Sequence, residues 1–230
     1  MSLLSKSSYL LVFDLDGTLT THHSSWQFVL EKTNNWEPEG RINLEKFLNN
    51  ELKGNTKEEK YWEFCRLDAD LLKGLEYAKF LNILDEIQFQ FDIQRSLEEI
   101  RKFLDFKSVV ISSGFFELAT KAKNMFNFDS AIGNELGREN GILNGTIKIN
   151  VPWMGKREIL RNIKKELEIE TKKVISFGDT TADVELFKES GLSFACFTAD
   201  ANLIDIADHQ VSNYLQIPNL IKDYINDMSD

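Results

Sequence analysis

The chain has 230 residues, of which 42% are hydrophobic and 11% aromatic, enough for one large domain or a core domain carrying a smaller insert. Its net charge of −10 excludes the basic surplus that a nucleic-acid binder or a protein docking on an anionic membrane needs to neutralise phosphates. Two distant cysteines (Cys65 and Cys196), an N-terminal apolar run too short for a secretory core and no stretch near the roughly 20 apolar residues of a membrane helix lead to the expectation of a cytoplasmic protein with the thiols as buried fillers.

The run YLLVFDLDGTLT, residues 9–20, begins as a short buried strand and stops abruptly in Asp14 and Asp16. Two carboxylates at the tip of an apolar strand are costly unless a metal, a catalytic task or a turn accounts for them. From about residue 20 to 92 the pattern becomes helical, broken at Pro38 with Gly40 and again at Gly54, and it contains Trp26, Trp36 and Trp62, which predict a small core of its own. This segment holds 14 acidic against 9 basic residues, a surplus that disfavours a polyanionic substrate. Ser24 and Ser25 read first as a helix cap, and His22 and His23 fall in the hinge.

After residue 94, helices and strands alternate. IQRSLEEIRKFL is an amphipathic helix, KSVVISSG a strand ending at Ser112, FFELATKAKNMF a helix and FDSAIGNEL a short strand. ENGILNGTIKIN has two Asn-Gly pairs within alternating residues, a hairpin signature. KREILRNIKKELEI is a helix, KKVISFGD a strand, TADVELFKES a helix and LSFACF a strand; NLIDIAD and IPNLIKDYIND are predicted closing helices. The alternation predicts an α/β fold: a doubly wound, Rossmann-like parallel sheet made by residues 1–19 and 93–230, with residues 20–92 inserted as a helical cap.

In an open sheet of this kind ligands collect at the carboxyl ends of the strands. There the topology gathers Asp14, Asp16, Ser112 and Asp179, with Lys156 opening a helix just beyond the hairpin. An oxygen-only carboxylate set suits a hard cation such as magnesium, Mg²⁺, while a lysine, a serine hydroxyl and backbone amides suit a phosphate. One carboxylate could then attack phosphorus and the other move protons.

DLDGT at 14–18, SSG at 112–114, Lys156 and GDTTAD at 178–183 together resemble the ordered motifs of the haloacid dehalogenase superfamily, most closely its phosphoserine-phosphatase-like branch. The resemblance spans nearly the whole chain. It implies a Mg²⁺-dependent phosphatase acting on a small phosphorylated metabolite through an aspartyl-phosphate. Asp14 would be the nucleophile and Asp16 the general acid/base. Thr18 would orient their loop at the phosphate, and Ser112, Ser113, Gly114 and Lys156 would hold the phosphoryl group. Asp14, Asp179 and the Asp16 carbonyl would take the metal, with Asp183 in the outer shell. Three positions depart from the family pattern: Ala182 replaces a usual asparagine, Ser113 a usual glycine, and His23 the glutamate that meets the substrate ammonium. His23 and Arg66 are the candidate specificity residues. The rivals are a phosphomutase or other phosphotransferase on the same scaffold, a binding protein that has lost the chemistry, and a dehalogenase, which the acid at position 16 disfavours.

Overall fold

The computed structural model describes residues 9–152, 154–198 and 200–228; residues 1–8 of the expected core lie outside them. Seven strands, β1 (Tyr9–Phe13), β2 (Phe106–Phe115), β3 (Ser130–Glu139), β4 (Ile142–Lys148), β5 (Val174–Gly178), β6 (Leu192–Cys196) and β7 (His209–Val211), form one sheet in the order β4-β3-β2-β1-β5-β6-β7. Every neighbouring pair is parallel except the hairpin β3–β4. Five consecutive apolar residues make β1 because it is central, buried on both faces between β2 and β5. Strand order reverses at β1, so a crevice opens beyond its carboxyl end.

The two faces of the sheet carry separate cores. Leu11 and Phe13 point to one, covered by α5 (Ile93–Arg101), α6 (Phe116–Phe126) and α10 (Ile217–Asp227). Leu10 and Val12 point to the other, covered by α7 (Lys156–Glu166), α8 (Val184–Phe187) and α9 (Ala201–Ile204). The parallel register aligns Phe13, Phe177 and Phe194, whose rings stack at 4.3 Å and 5.0 Å between centroids. This row of rings holds the last residue of β1 in place immediately before Asp14.

Between β1 and α5 the chain forms α1 (Ser25–Lys32), α2 (Arg41–Leu48), α3 (Lys57–Leu71) and α4 (Tyr77–Asp85). Ser24 caps α1 by accepting from the Gln27 amide. The entry and exit of this segment lie side by side, with Thr20 bridged to Phe89 and the Gln90 amide donating to the Leu19 carbonyl at 2.8 Å. The expectation of a separate core is only partly met. Val29, Leu30, Phe80 and Leu84 join the main core, while Phe47, Leu52, Tyr61 and Cys65 form their own cluster against Ile147 and Ile149 of the hairpin. Trp62 is 37% exposed and belongs to neither core.

The hairpin differs from its sequence signature. β3 runs to Glu139 rather than ending near Leu136, and the turn is made by Asn140–Gly141, both at positive φ (50° and 79°). The second pair, Asn144–Gly145, lies inside β4. There the helical segment packs against the strand: a Cβ on Gly145 would lie 2.9 Å from an Asp70 carboxylate oxygen. Backbone bonds extend that contact, with the Gly74 amide donating to Leu143 at 2.8 Å and the Tyr77 amide to Gly141 at 2.8 Å. The helix expected over NLIDIAD is one turn, α9, followed by edge strand β7, whose three residues are too few to display alternation in the sequence. Among the described residues no helix is long and apolar enough to cross a membrane.

α7, which begins at Lys156, is tied down by Glu189. Arg157, Arg161 and Lys164 reach the Glu189 carboxylate at 2.9, 2.8 and 2.7 Å. Burial pushes this carboxyl up, but the three cations outweigh it and bring it down to about 2. Its stabilisation is therefore complete above the unfolded glutamate range, near pH 4.3, and is lost as pH falls toward 2. E189Q is expected to lower the thermal midpoint at pH 7 by roughly 5 °C. Melts followed by circular dichroism should show the gap between variant and wild type closing as pH is taken from about 5 to about 2.

Candidate active site

The DxD loop is shaped by Thr20 more than by Thr18. The Thr20 hydroxyl donates to the His22 carbonyl at 2.9 Å and accepts from the Gly17 amide at 3.2 Å. Thr18 is fully buried and does not line the cavity described below, so the expected place for it at the phosphate is not where its side chain lies. Its carbonyl accepts from the Tyr214 hydroxyl at 3.1 Å. Gly17 has φ +77°, and a Cβ there would lie 2.0 Å from Asp179 Oδ2 and 2.6 Å from His23 Nδ1. Glycine alone lets the loop pass this close to the carboxylate.

Asp14, Asp179 and Asp183 converge beyond the ends of β1 and β5, each offering an oxygen within 4.8 Å of the others. All three are buried. Lys156, itself 2% exposed, reaches between them, donating to Asp14 Oδ1 and to Asp183 Oδ1, the latter at 2.6 Å. Asp183 Oδ2 accepts from the amides of Asp179 and Thr180 at 3.1 and 3.2 Å, which closes a single helical turn after β5. Burial, followed by the neighbouring carboxylates, pushes Asp14 and Asp179 well above the usual carboxylate range against the opposing pull of Lys156. Asp14 and Asp183 hold the Lys156 ammonium above its ordinary value despite burial.

Asp16 faces the start of α1. Its Oδ2 accepts from the Ser25 amide at 3.0 Å and the Ser25 hydroxyl at 2.7 Å. Burial raises this carboxyl while the two Ser25 bonds oppose the rise. The SSG stretch lies alongside. Ser112 Oγ accepts from the Gly114 amide at 2.9 Å, and a Cβ on Gly114 would meet Ser25 Oγ at 2.6 Å and Asp16 Oδ2 at 2.9 Å. Asn134, fully buried, donates to the Ser113 carbonyl at 2.8 Å and accepts from the amides of Asn150 and Val151, both at 2.9 Å. It thereby joins the serine loop to the segment that leads into Lys156. Ser25, expected from the sequence as a helix cap, binds Asp16 instead, while Thr20 and Asn134 lie outside the residues expected at the site. Of these two, only Asn134 carried a signal in the sequence, as an amide within a short buried strand.

The donor set fits a hard divalent cation. It consists of oxygens, its carboxylates crowd like charges together, and Asp179 Oδ1 is buried with no hydrogen-bond partner. Asp179 Oδ2 meets His23 Nδ1 at 2.9 Å, so His23, expected at the substrate, touches this cluster. Above it lies a cavity of about 430 Å³. Asp14, Asp16, Ser112, Lys156 and Asp179 form its floor, and Trp26, Trp36, Leu44, Tyr61, Phe64 and Asp68 of the helical segment its roof. Trp26 and Trp36, expected as packing residues, serve partly as lining. Arg66 does not line the cavity; its side chain is 62% exposed and pairs with Glu63 at 3.4 Å. Its place on α3 turns it toward solvent, two residues before Asp68, which faces inward. Cys65 and Cys196 are buried free thiols, and burial pushes Cys65 up to about 12.

Residues 11–188 match the family model of the haloacid dehalogenase-like hydrolases. The chain is 27% identical to a phosphoserine phosphatase of Archaeoglobus fulgidus over 96% of its own length, and spans 62% of that relative. It is 24% identical to a phosphoserine phosphatase of Idiomarina loihiensis, covering 94% of both chains. In fold it is similar to a solved phospho-aspartyl intermediate analogue of phosphoserine phosphatase, with a TM-score of 0.77 and 23% identity over 95% of this chain and 99% of that one.

A cation that binds the folded cluster and not the unfolded chain stabilises by about 2.7 kcal/mol at a hundred times its dissociation constant. Scanning fluorimetry in MgCl₂ or MnCl₂ is expected to raise the melting midpoint by several degrees, with EDTA reversing the rise and D179N removing it. A wild-type midpoint indifferent to both salts would mean that the carboxylates are balanced by Lys156 alone.

Proposed function

The chain belongs to the haloacid dehalogenase-like hydrolases, on their phosphoserine-phosphatase-like branch, and from that premise we propose that it hydrolyses a small phosphomonoester with Asp14 as nucleophile. The observation that carries this reading is the convergence of Asp14, Asp16, Ser112, Lys156 and Asp179 on the floor of one cavity. Asp14, Asp179 and the backbone at Asp16 would hold Mg²⁺, with Asp183 supporting them. When bound, the ion offsets the charge of the phosphoryl group and of the surrounding carboxylates.

Lys156 holds one oxygen of Asp14 and leaves the other for phosphorus. That oxygen attacks, the bond from phosphorus to the leaving oxygen breaks, and an aspartyl-phosphate forms. Asp16, whose Oδ1 is buried with no hydrogen-bond partner, acts as the general acid and gives a proton to the leaving alcohol. Water then attacks phosphorus, Asp16 takes a proton from it, and the bond to Asp14 breaks to release phosphate. Ser25 fixes the Asp16 carboxyl for both transfers. Gly114 leaves room for Asp16, and Ser112 orders the loop that meets the phosphoryl oxygens. Residues 20–92 act as a cap that keeps bulk water from the first transfer. The free buried thiols support a reducing compartment.

Release of inorganic phosphate from small esters, with no bisphosphate present, separates this reading from phosphoryl transfer between substrates. D14N is expected to lower kcat by a factor of roughly 10³ or more, and D16N to lower it most for esters with poor leaving groups. Phosphate release that D14N leaves intact would remove Asp14 from the nucleophile's place.

A further inference from the structure

The cavity roof contains a polar group that the chemistry above does not use. Asp68, on α3, is 1% exposed and lines the cavity. Its Oδ1 accepts from Asn43 Nδ2 at 2.9 Å, and no cation pairs with it among the described residues. Burial raises its carboxyl to about 7, with the Asn43 bond opposing. A carboxylate placed this deep is incomplete without a positive partner. It shares the roof of the cavity with the rings of Trp26, Trp36, Tyr61 and Phe64. Aromatic faces attract cations, and a ring-lined pocket with one acid is the chemistry that selects an amine. Among the described residues the roof contributes no lysine or arginine, so a substrate carboxylate would find no counter-charge there.

We propose, resting on the phosphatase reading, that Asp68 and the surrounding rings select a phosphomonoester whose alcohol carries a cationic amine and no carboxylate. Phosphate binds at the floor and the amine at the roof. Asp68 is a specificity residue; it neither touches phosphorus nor belongs to the acidic cluster below.

The test compares O-phosphoethanolamine with n-propyl phosphate, its neutral isostere, alongside phosphocholine and O-phosphoserine, as kcat/KM for phosphate release in MgCl₂. Phosphoethanolamine is expected to exceed both n-propyl phosphate and phosphoserine by at least about tenfold, as a buried charge pair warrants. D68N keeps an acceptor for Asn43 and is expected to shrink the amine-to-propyl ratio by roughly 30-fold, with D68E restoring part of it. The same ratio measured as calorimetric affinity in the D14N variant needs no turnover. Equal handling of phosphoethanolamine and propyl phosphate, a preference for phosphoserine, or a ratio that D68N leaves unchanged would each overturn the proposal. A gain confined to phosphocholine would assign recognition to the rings and remove Asp68 from it. Phosphate release from n-propyl phosphate that D14N abolishes upholds the phosphatase reading whatever the ratio, so the two readings fail separately.

Discussion

The structure depends on a problem of buried charge. Asp14, Asp179 and Asp183 lie together out of water, and among the described residues Lys156 is the one buried cation set among them. Removing one partner from such a group leaves another charge uncompensated, at a cost of about 3–5 kcal/mol. The surrounding fold serves to hold these four groups in register. The phenylalanine row fixes the end of β1, the turn after β5 brings Asp183 back under Asp179, and Glu189 clamps the helix that begins at Lys156. Burial, with Lys156 answering only part of the acidic charge, keeps Asp14 and Asp179 pushed upward, and the set fits a divalent ion.

The helical segment is fastened at two places rather than hung from one hinge. Its neck is bonded where Thr20 meets Phe89, and the loop before α4 is bonded along the β3–β4 hairpin. The hairpin therefore belongs to the roof as much as to the sheet, since Ile147 and Ile149 complete the segment's own cluster. Any opening of the cavity moves the hairpin with the helices or breaks those backbone bonds. The contrast between floor and roof follows from the same division: the floor is built from charges held by strand ends, the roof from rings and one acid on helices.

Much of the floor was legible in the chain because its residues occupy positions that simple rules expose. An apolar run ending in Asp14 and Asp16, another ending at Ser112 and a third at Asp179 mark strand ends, and strand ends of a parallel sheet converge. The roof was less legible. Arg66 and Asp68 are two residues apart on one helix and both charged; nothing local distinguishes the exposed one from the buried one. His23 faces the acidic cluster because Gly17 lets the loop fold back, a path that depends on a backbone angle. Ser25 and Thr20 are ordinary polar residues until the turn places them against Asp16 and Gly17.

The amino-acid sequence by itself determined the alternation of strands and helices, the inserted helical stretch and the residues at the strand ends, because each is written in local periodicity or in a short motif. Tertiary structure alone decided which helical side chains face the cavity, that the hairpin joins the roof, that a seventh strand closes the edge, and that Ser25 rather than a distant residue holds Asp16. Those outcomes rest on contacts between segments far apart in the chain, where the geometry of packing, and not the pattern of neighbours, selects the partner.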